Sequence, residues 1–141
     1  LAEVRALGYT LCARDLPAEA DHPDEAALAT HGAPLAYLRL HGRNTQAWFD
    51  PRAGRDQKYD HLYSPEELHE LAALARRLAS GADETYVITN NHFSGKAVAN
   101  ALELLGELGD APVLGPVELL AAYPRLRAQV RVDGQDTLFA P

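Results

Sequence analysis

The sequence predicts an α/β fold in which parallel strands alternate with helices. Short β-rich segments at residues 35–42 and 85–89 each precede an amphipathic helix further along the chain. Strands that alternate with helices in this way are typical of a parallel sheet. The chain has 141 residues, a length that suits one domain with a single hydrophobic core. We therefore expect residues 1–141 to form a single α/β domain.

Composition excludes several classes of protein. Hydrophobic residues make up 47% of the chain and charged residues 23%, which are globular proportions and exclude overall disorder. The net charge of −7 disfavours loose electrostatic binding to nucleic acid or to anionic lipid. No apolar run approaches the roughly 18 residues that cross a bilayer. We therefore expect no membrane partner, and we do not expect nucleic acid to be the partner.

The cysteine content and the start of the chain indicate its setting. The single cysteine, Cys12, allows neither an internal disulfide nor a structural zinc cluster. We therefore expect a reducing, cytoplasmic location. The chain opens at Leu1 without the charged start and apolar core of a signal peptide, and we expect it to be part of a longer protein.

Two β-rich segments lie in the first third of the chain. Residues 9–15 predict a strand that ends before Pro17, and residues 35–42 predict a strand closed by a glycine. Between them, residues 17–34 carry three prolines among acidic side chains. This composition predicts a loop with one helical turn at residues 23–28.

The clearest helix follows a long segment without periodicity. Residues 43–62 show neither the helical nor the strand period, so we predict a loop there, of a length that is usually functional or mobile. Ser64-Pro65-Glu66-Glu67 is a capping box with proline at the first helical position. Apolar residues then recur at spacings of three and four from Leu68 to Leu78. We predict that Gly81 ends this helix as a left-handed cap.

The remaining chain predicts one more strand and two helices. Residues 85–89 form a buried-looking strand, and a helix runs from Ala97 to Gly109. A shorter helix occupies residues 117–123 and stops at a proline. Residues 129–139 predict a weak hairpin around an Asp-Gly turn.

Alternation along the strands predicts where the polar side chains gather. If residues 35–41 are extended, Tyr37, Arg39 and His41 share one face of the strand, and leucines occupy the other. Each predicted strand also carries polar residues at its carboxyl end, where parallel sheets bind ligands. We use "the rim" for these residues, which are Asp15, His41, Gly42, Arg43, Asn90, Asn91 and His92.

The rim residues suggest a pocket for an anion. Arginine side chains grip phosphate or carboxylate through forked hydrogen bonds, histidines transfer protons near neutral pH, and asparagines orient a ligand or stabilise developing charge. Glycines let the backbone approach a ligand closely, and the Ser94-Gly95-Lys96 segment opens a helix whose free N–H groups favour an anion. The candidate catalytic residues are His41 and His92, and the candidate ligand-binding residues are Arg39, Arg43, Asn90, Asn91, Gly42, Gly95, Asp15, Trp48, Tyr59 and Tyr63.

Several of these residues could instead have a purely structural role. Arg39 would form a structural ion pair with Asp15 or another buried carboxylate, because a guanidinium on an inward face needs an anionic partner. His41 would be a hydrogen-bonded histidine at a strand end, and Asn90 with Asn91 would form an Asx turn.

Residue spacing also limits the metals and cofactors that the chain could hold. A metal held by Asp15, His41 and His92 lacks close ligand spacing, so we predict no metal site. Lys96 is not preceded by a nucleotide-binding P-loop, and the cofactor stays unknown. Trp48 and the nearby tyrosines fit hydrophobic anchors of the long loop better than a platform for stacking bases.

Several motifs resemble the DUF72 family, which is also called YecE-like. The matching segments are YLRLHGRN at residues 37–44, Trp48, KYDHLYSPEEL at 58–68 and NNHFSGKAVANA at 90–101, with CARDLP at 12–17 and LLAAYPRL at 119–126 in corresponding places. The resemblance covers most of the chain in the order of the family. The signature positions fall on Arg39, His41, Gly42, Arg43, Trp48, Tyr59, Tyr63, Asn90, Asn91, His92, Gly95 and Asn100.

The resemblance implies a TIM-type barrel of which this chain is the carboxyl-terminal portion. Three or four strands cannot close a barrel, so the chain would form a partial barrel with flanking helices and an uncovered sheet. We expect it to self-associate or to join a missing N-terminal segment.

Together these observations favour a pocket for a small anionic ligand that carries phosphate or carboxylate. A histidine without an evident cofactor motif suits hydrolase or isomerase chemistry, and the sequence does not choose between them. The alternative is a non-catalytic module that binds a partner protein or single-stranded nucleic acid through the aromatic segment. In a third interpretation the polar rim only ties loops together.

Overall fold

The computed structural model describes residues 3, 6–17, 34–109 and 112–132. Its strands are β1 (Cys12–Asp15), β2 (Leu35–Leu40), β3 (Glu84–Thr89), β4 (Val113–Gly115) and β5 (Val130–Val132). Its α-helices are α1 (Thr45–Phe49), α2 (Arg55–Lys58), α3 (Pro65–Ala79), α4 (Lys96–Leu108) and α5 (Val117–Ala122), and short 3-10 helices cover Phe93–Gly95 and Pro124–Ala128.

The main sheet is parallel, with β2 between β1 and β3. One of its faces packs against α3. Ala13, Leu38 and Leu40 on that face are almost completely buried, because the apolar stripe of the helix covers them. The prediction of a parallel sheet with flanking helices is confirmed.

The opposite face of this sheet is uncovered within the described residues, and we call it the open face. It carries Tyr37 and Arg39 of β2 beside Tyr86 and Ile88 of β3. Tyr86 is 48% exposed and Ile88 is 38% exposed. Parallel sheets are normally covered on both faces. Within the described residues, the open face lacks such a covering layer.

A smaller parallel sheet joins β4 to β5. It packs with α4 around a second cluster of buried residues that includes Ala99, Leu126 and Val130. The sequence predicted a hairpin at residues 129–139, but its described part pairs in parallel with β4, and residues 133–139 lie outside the described residues. The helical turn predicted at residues 23–28 also lies outside them.

The prediction of a loop at residues 43–62 was wrong, since this segment contains α1 and α2. Asn44 begins α1 by accepting a hydrogen bond from the Ala47 N–H at 3.3 Å. The Gln57 side chain accepts a hydrogen bond from the Gly54 N–H at 2.8 Å at the start of α2. Helices of five and four residues are too short to show a hydrophobic period, and local capping stabilises them.

The third helix begins as predicted and ends differently. Ser64 accepts a hydrogen bond from the Glu67 N–H at 3.2 Å, and the Glu67 carboxylate accepts one from the Ser64 N–H at 2.8 Å, so the capping box is confirmed. The prediction of a left-handed cap at Gly81 was wrong. Ser80 ends the helix with right-handed geometry, and Gly81 is not among the described glycines with positive φ. None of the described helices is long and apolar enough to cross a membrane.

Candidate functional site

The carboxyl ends of the three main strands meet at one edge of the sheet. The His41 N–H donates to the Asp15 carbonyl oxygen at 3.0 Å, and the Asn90 N–H donates to the Leu40 carbonyl oxygen at 2.7 Å. These bonds extend the strand pairing beyond the last sheet residues. The structure therefore brings Asp15, His41 and Asn90 side by side, at the edge where the sequence predicted the rim.

Four aromatic rings cluster over this edge. The ring centroid of Tyr59 lies 5.7 Å from that of His41, 5.8 Å from that of Trp48 and 5.4 Å from that of His92. Trp48 lies in α1 and Tyr59 directly follows α2, so the two short helices that sequence reasoning missed bring both rings to the histidines. The side chains of His41, Trp48 and Tyr59 are partly buried, so they form a half-enclosed aromatic wall.

A hydrogen-bonded row runs along the open face to the rim. The Arg39 Nη2 donates to the Asn90 Oδ1 at 3.3 Å, and the Asn90 Nδ2 lies 3.1 Å from the His41 Nδ1. The Arg39 Nε is buried and has no hydrogen-bond partner among the described residues. Burial, followed by the positive charges of Arg39 and Arg14, lowers the pKa of His41 below its ordinary value.

A second group of rim residues forms a closed network on the helix side of the sheet. The Arg43 Nη2 lies 2.7 Å from the Asp15 Oδ1, and the Tyr63 hydroxyl donates to the Asp15 Oδ2 at 2.6 Å. The same hydroxyl accepts the Gly42 N–H at 2.7 Å. Tyr63 is completely buried, and burial together with the charge of Asp15 raises its pKa, so the hydroxyl stays a proton donor.

The ion pair with Asp15 is made by Arg43, so the predicted structural pair between Arg39 and Asp15 was wrong. The strand register explains this difference. Asp15 lies opposite Leu40, on the face that α3 covers, whereas Arg39 lies on the open face. Arg43 also lies 3.3 Å from the Glu70 carboxylate, so its guanidinium is occupied by carboxylates of the protein itself.

Asn91 lies in a third network beneath the rim. Its side chain is fully buried, and its Nδ2 donates to the His61 carbonyl oxygen and to the Asn100 Oδ1, both at 2.8 Å. Asn100 in turn donates to the Glu103 carboxylate at 2.8 Å, which also accepts a hydrogen bond from Arg125. Residue-based reasoning singled out neither Glu103 nor Arg125. The sequence signal that could have revealed this network is Glu103 itself, a glutamate between Leu102 and Leu104 of an amphipathic helix.

His92 and Gly95 lie at the outer side of the rim. The His92 Nδ1 is 3.1 Å from the Asn90 carbonyl oxygen, and its Nε2 is 3.3 Å from the Asp56 carboxylate. Gly95 adopts a left-handed φ of 80° at the start of α4. Within the described ranges, no three side chains among His, Cys, Asp and Glu converge as a metal-binding group.

The parallel sheet, its covering helices and the polar edge at the carboxyl ends of the strands define an α/β protein of the partial-barrel class. The family model described as "Protein of unknown function DUF72" matches residues 1–121. The chain therefore belongs to the DUF72 family, as its motifs predicted.

Among curated proteins, the chain is similar to the UPF0759 protein YunF of Bacillus subtilis. The two are 31% identical over 71 residues, which is 48% of this chain and 25% of YunF.

Two solved DUF72 structures share the fold. The Thermotoga maritima protein TM1631 matches with a TM-score of 0.61 at 33% identity, over 72% of this chain and 37% of its own. The Enterococcus faecalis protein EF0366 matches with a TM-score of 0.65 at 24% identity, over 78% of this chain and 40% of its own. The chain thus spans less than half the length of these relatives, and the predicted partial TIM-like barrel is confirmed.

Proposed function

We propose that Arg39 and the adjoining rim bind a small anionic ligand that carries a phosphate or a carboxylate, and that they support hydrolase or isomerase chemistry on that ligand. The observation that carries this proposal is the lack of an anionic partner for the Arg39 guanidinium among the described residues. Its buried Nε has no partner and its Nη2 donates to a neutral amide, while the described residues offer it no ion pair. A partly buried guanidinium that the protein leaves without a carboxylate is available to an external anion.

The contrast with Arg43 supports the assignment to Arg39. Arg43 is held by Asp15 and Glu70, so an anion would have to displace two carboxylates to reach it. Arg39 needs no such displacement, and it lies in the same hydrogen-bonded row as His41. Arg39 is therefore the anion-binding arginine of the proposal, and Arg43 holds the rim together.

Removal of the Arg39 guanidinium is expected to weaken anion binding by at least about tenfold, because a hydrogen bond to a charged group contributes about 1.5–3 kcal/mol. The measurement is a thermal-shift titration with inorganic phosphate, sulfate and acetate. An anion at 100 times its Kd stabilises the wild type by about 2.7 kcal/mol, several degrees for a domain of this size. At the same anion concentration, Arg39→Ala is expected to keep about half of this shift or less, since tenfold weaker binding leaves about 1.4 kcal/mol.

Arg52→Ala is the matched control, because it removes the same charge from a side chain that is 89% exposed and paired with the Asp50 carboxylate. It is expected to keep the wild-type response. Equal stabilisation of wild type and Arg39→Ala by any of the three anions would contradict the proposal, as would a wild type that none of them stabilises.

The open face, which includes Arg39, favours an alternative, non-catalytic function, in which association replaces binding of a small anion. We propose that a second copy of this chain covers it, because it presents the apolar side chains of Tyr86 and Ile88 to solvent and the described part of the sheet has two unpaired edges. The net charge of −7 disfavours nucleic acid as the partner.

Self-association is expected to appear as a molar mass above the 15.3 kDa of one chain in size-exclusion chromatography with light scattering. The double variant Tyr86→Lys with Ile88→Lys is expected to elute as a monomer, because it places two charges on the open face. Leu105→Lys is the control, since Leu105 is 53% exposed on α4. A monomeric wild type at every concentration would show that no second copy binds there.

A further inference from the structure

The orientation of the Asn90 amide is fixed by Arg39. A guanidinium carries only donors, so the atom of Asn90 that lies 3.3 Å from the Arg39 Nη2 is the acceptor, Oδ1. The amide nitrogen Nδ2 is therefore the atom that lies beside His41. Asn90 takes this orientation because of its neighbours on the open face.

The orientation of Asn90 in turn selects one tautomer of His41. An amide NH2 group only donates, so the His41 Nδ1, 3.1 Å from the Asn90 Nδ2, accepts that hydrogen bond. A neutral imidazole whose Nδ1 is the acceptor carries its proton on Nε2. His92 differs, because its Nδ1 faces the Asn90 carbonyl oxygen and is the donor of that bond.

The surroundings of His41 favour the neutral form of its ring. Burial disfavours the charged ring most strongly, and the charges of Arg39 and Arg14 act in the same direction against the smaller opposing effect of Asp15, so the pKa of His41 is lowered. The ring also lies beside the aromatic rings of Trp48 and Tyr59, neither of which carries a carboxylate.

We propose that Asn90 holds His41 in the neutral Nε2–H tautomer, and that this N–H donates a hydrogen bond to an uncharged oxygen of the ligand that Arg39 binds. The inference rests on the proposed function for the anionic group and adds a second recognition element. The ligand class is then an acid or phosphate ester with a carbonyl or hydroxyl oxygen near its charged group. In this state the Nδ1 lone pair accepts the Asn90 hydrogen bond, so His41 does not act as a base. Its Nε2–H would instead stabilise negative charge that develops on that ligand oxygen during a reaction.

The tautomer is measured directly, without any ligand, by long-range proton–nitrogen NMR of protein labelled with ¹⁵N-histidine near pH 7. The His41 signals, assigned by their loss in His41→Gln, are expected to show a protonated Nε2 and an unprotonated Nδ1. In Asn90→Asp a carboxylate, which only accepts, replaces the donor. The proton is then expected on Nδ1, with a raised His41 pKa. His69, which is exposed on α3, is the reference in each spectrum and is expected to stay unchanged.

The ligand class is tested with glycolate and acetate, which differ by one hydroxyl group. Wild type is expected to bind glycolate about three- to tenfold more tightly, the contribution of one hydrogen bond. His41→Phe is expected to lose this preference, because it removes the Nε2–H donor and places no carboxylate beside Arg39. A protonated Nδ1 in the wild-type spectrum overturns the tautomer, and equal affinities for the two acids overturn the ligand class. Absence of binding by both acids would overturn the ligand class, and the proposed function falls with it if phosphate and sulfate also fail to stabilise the wild type. The spectrum decides the tautomer in each case.

Discussion

Asp15→Ala is expected to lower the free energy of unfolding by about 3 kcal/mol, the cost of removing one partner from a buried ion pair. The Asp15 side chain is only 10% exposed, and its carboxylate binds both the Arg43 guanidinium and the Tyr63 hydroxyl. Removal leaves a partly buried cation without its closest anion and a buried hydroxyl without its acceptor. Arg43 retains 28% exposure, so water relieves part of the loss and the value falls at the lower end of the usual range.

Urea unfolding of the purified variants measures this effect. Asp50→Ala is the control, because it removes a carboxylate from an ion pair in which Arg52 is 89% exposed, and such pairs contribute little. Tyr63→Phe is a second test of the same network, since it removes only the hydroxyl that joins Asp15 to the Gly42 N–H. An Asp15→Ala variant as stable as Asp50→Ala would show that the network does not stabilise the fold.

The sign of the Asp15 effect also separates two roles for the residue. A carboxylate kept for ligand binding is often unfavourable for folding, so its removal tends to stabilise a protein. A carboxylate that holds a loop shows the opposite sign. The Asp15 carboxylate binds the Arg43 guanidinium and the Tyr63 hydroxyl, and we therefore expect destabilisation.

Strand alternation could predict which side chains share a face within one strand. It could not predict which faces of neighbouring strands lie on the same side of the sheet. The alternation correctly separated Arg39 from Leu38 and Leu40, because successive side chains of any strand point to opposite sides. The register between β1 and β2 places Asp15 beside Leu40, and that register depends on pairing across the sheet. The expected pair between Arg39 and Asp15 failed for this reason, and Arg43, beyond the left-handed Gly42, makes the contact instead.

The shortest helices and strands, and the contacts between residues far apart in the sequence, could not be predicted for a different reason. The helix α1 has five residues and β4 has three, so neither is long enough to establish a period in the sequence. The bond between Glu103 and Arg125 joins residues that are 22 positions apart. Only the packing of α4 against the following segment brings them together. By contrast, α3 carries its capping box and its apolar stripe within one segment, and both were predicted correctly.

Gly42→Ala is expected to lower the free energy of unfolding by about 2–6 kcal/mol, because backbone strain and overpacking each cost about 1–3 kcal/mol. Gly42 has a φ of +93°, which side-chain-bearing residues rarely adopt. A Cβ there would also lie 2.7 Å from the His61 Cβ. That atom is fixed directly to the backbone, so the contact cannot be relieved by rotating a side chain.

Two other glycines separate these causes. Gly95 has a φ of +80° but only an ordinary contact, with Leu119 at 3.5 Å, so Gly95→Ala reports the strain. Gly115 lies in β4 without a positive φ, and its Cβ would lie 2.7 Å from a Val130 methyl group, so Gly115→Ala reports the crowding. Denaturant unfolding of all three variants is expected to show the largest loss for Gly42→Ala. A loss no greater than that of Gly95→Ala would mean that the turn moves freely away from His61.

The Gly42 substitution is also expected to weaken anion binding in the protein that remains folded. Gly42 donates its N–H to Tyr63 and directly follows His41, so a shift of this turn moves the imidazole relative to Asn90 and breaks the row that begins at Arg39. The effect on binding would then arise without any contact between Gly42 and the ligand. Thermal-shift titration with phosphate tests this, and Gly115→Ala, which lies away from the rim, is expected to retain the wild-type affinity.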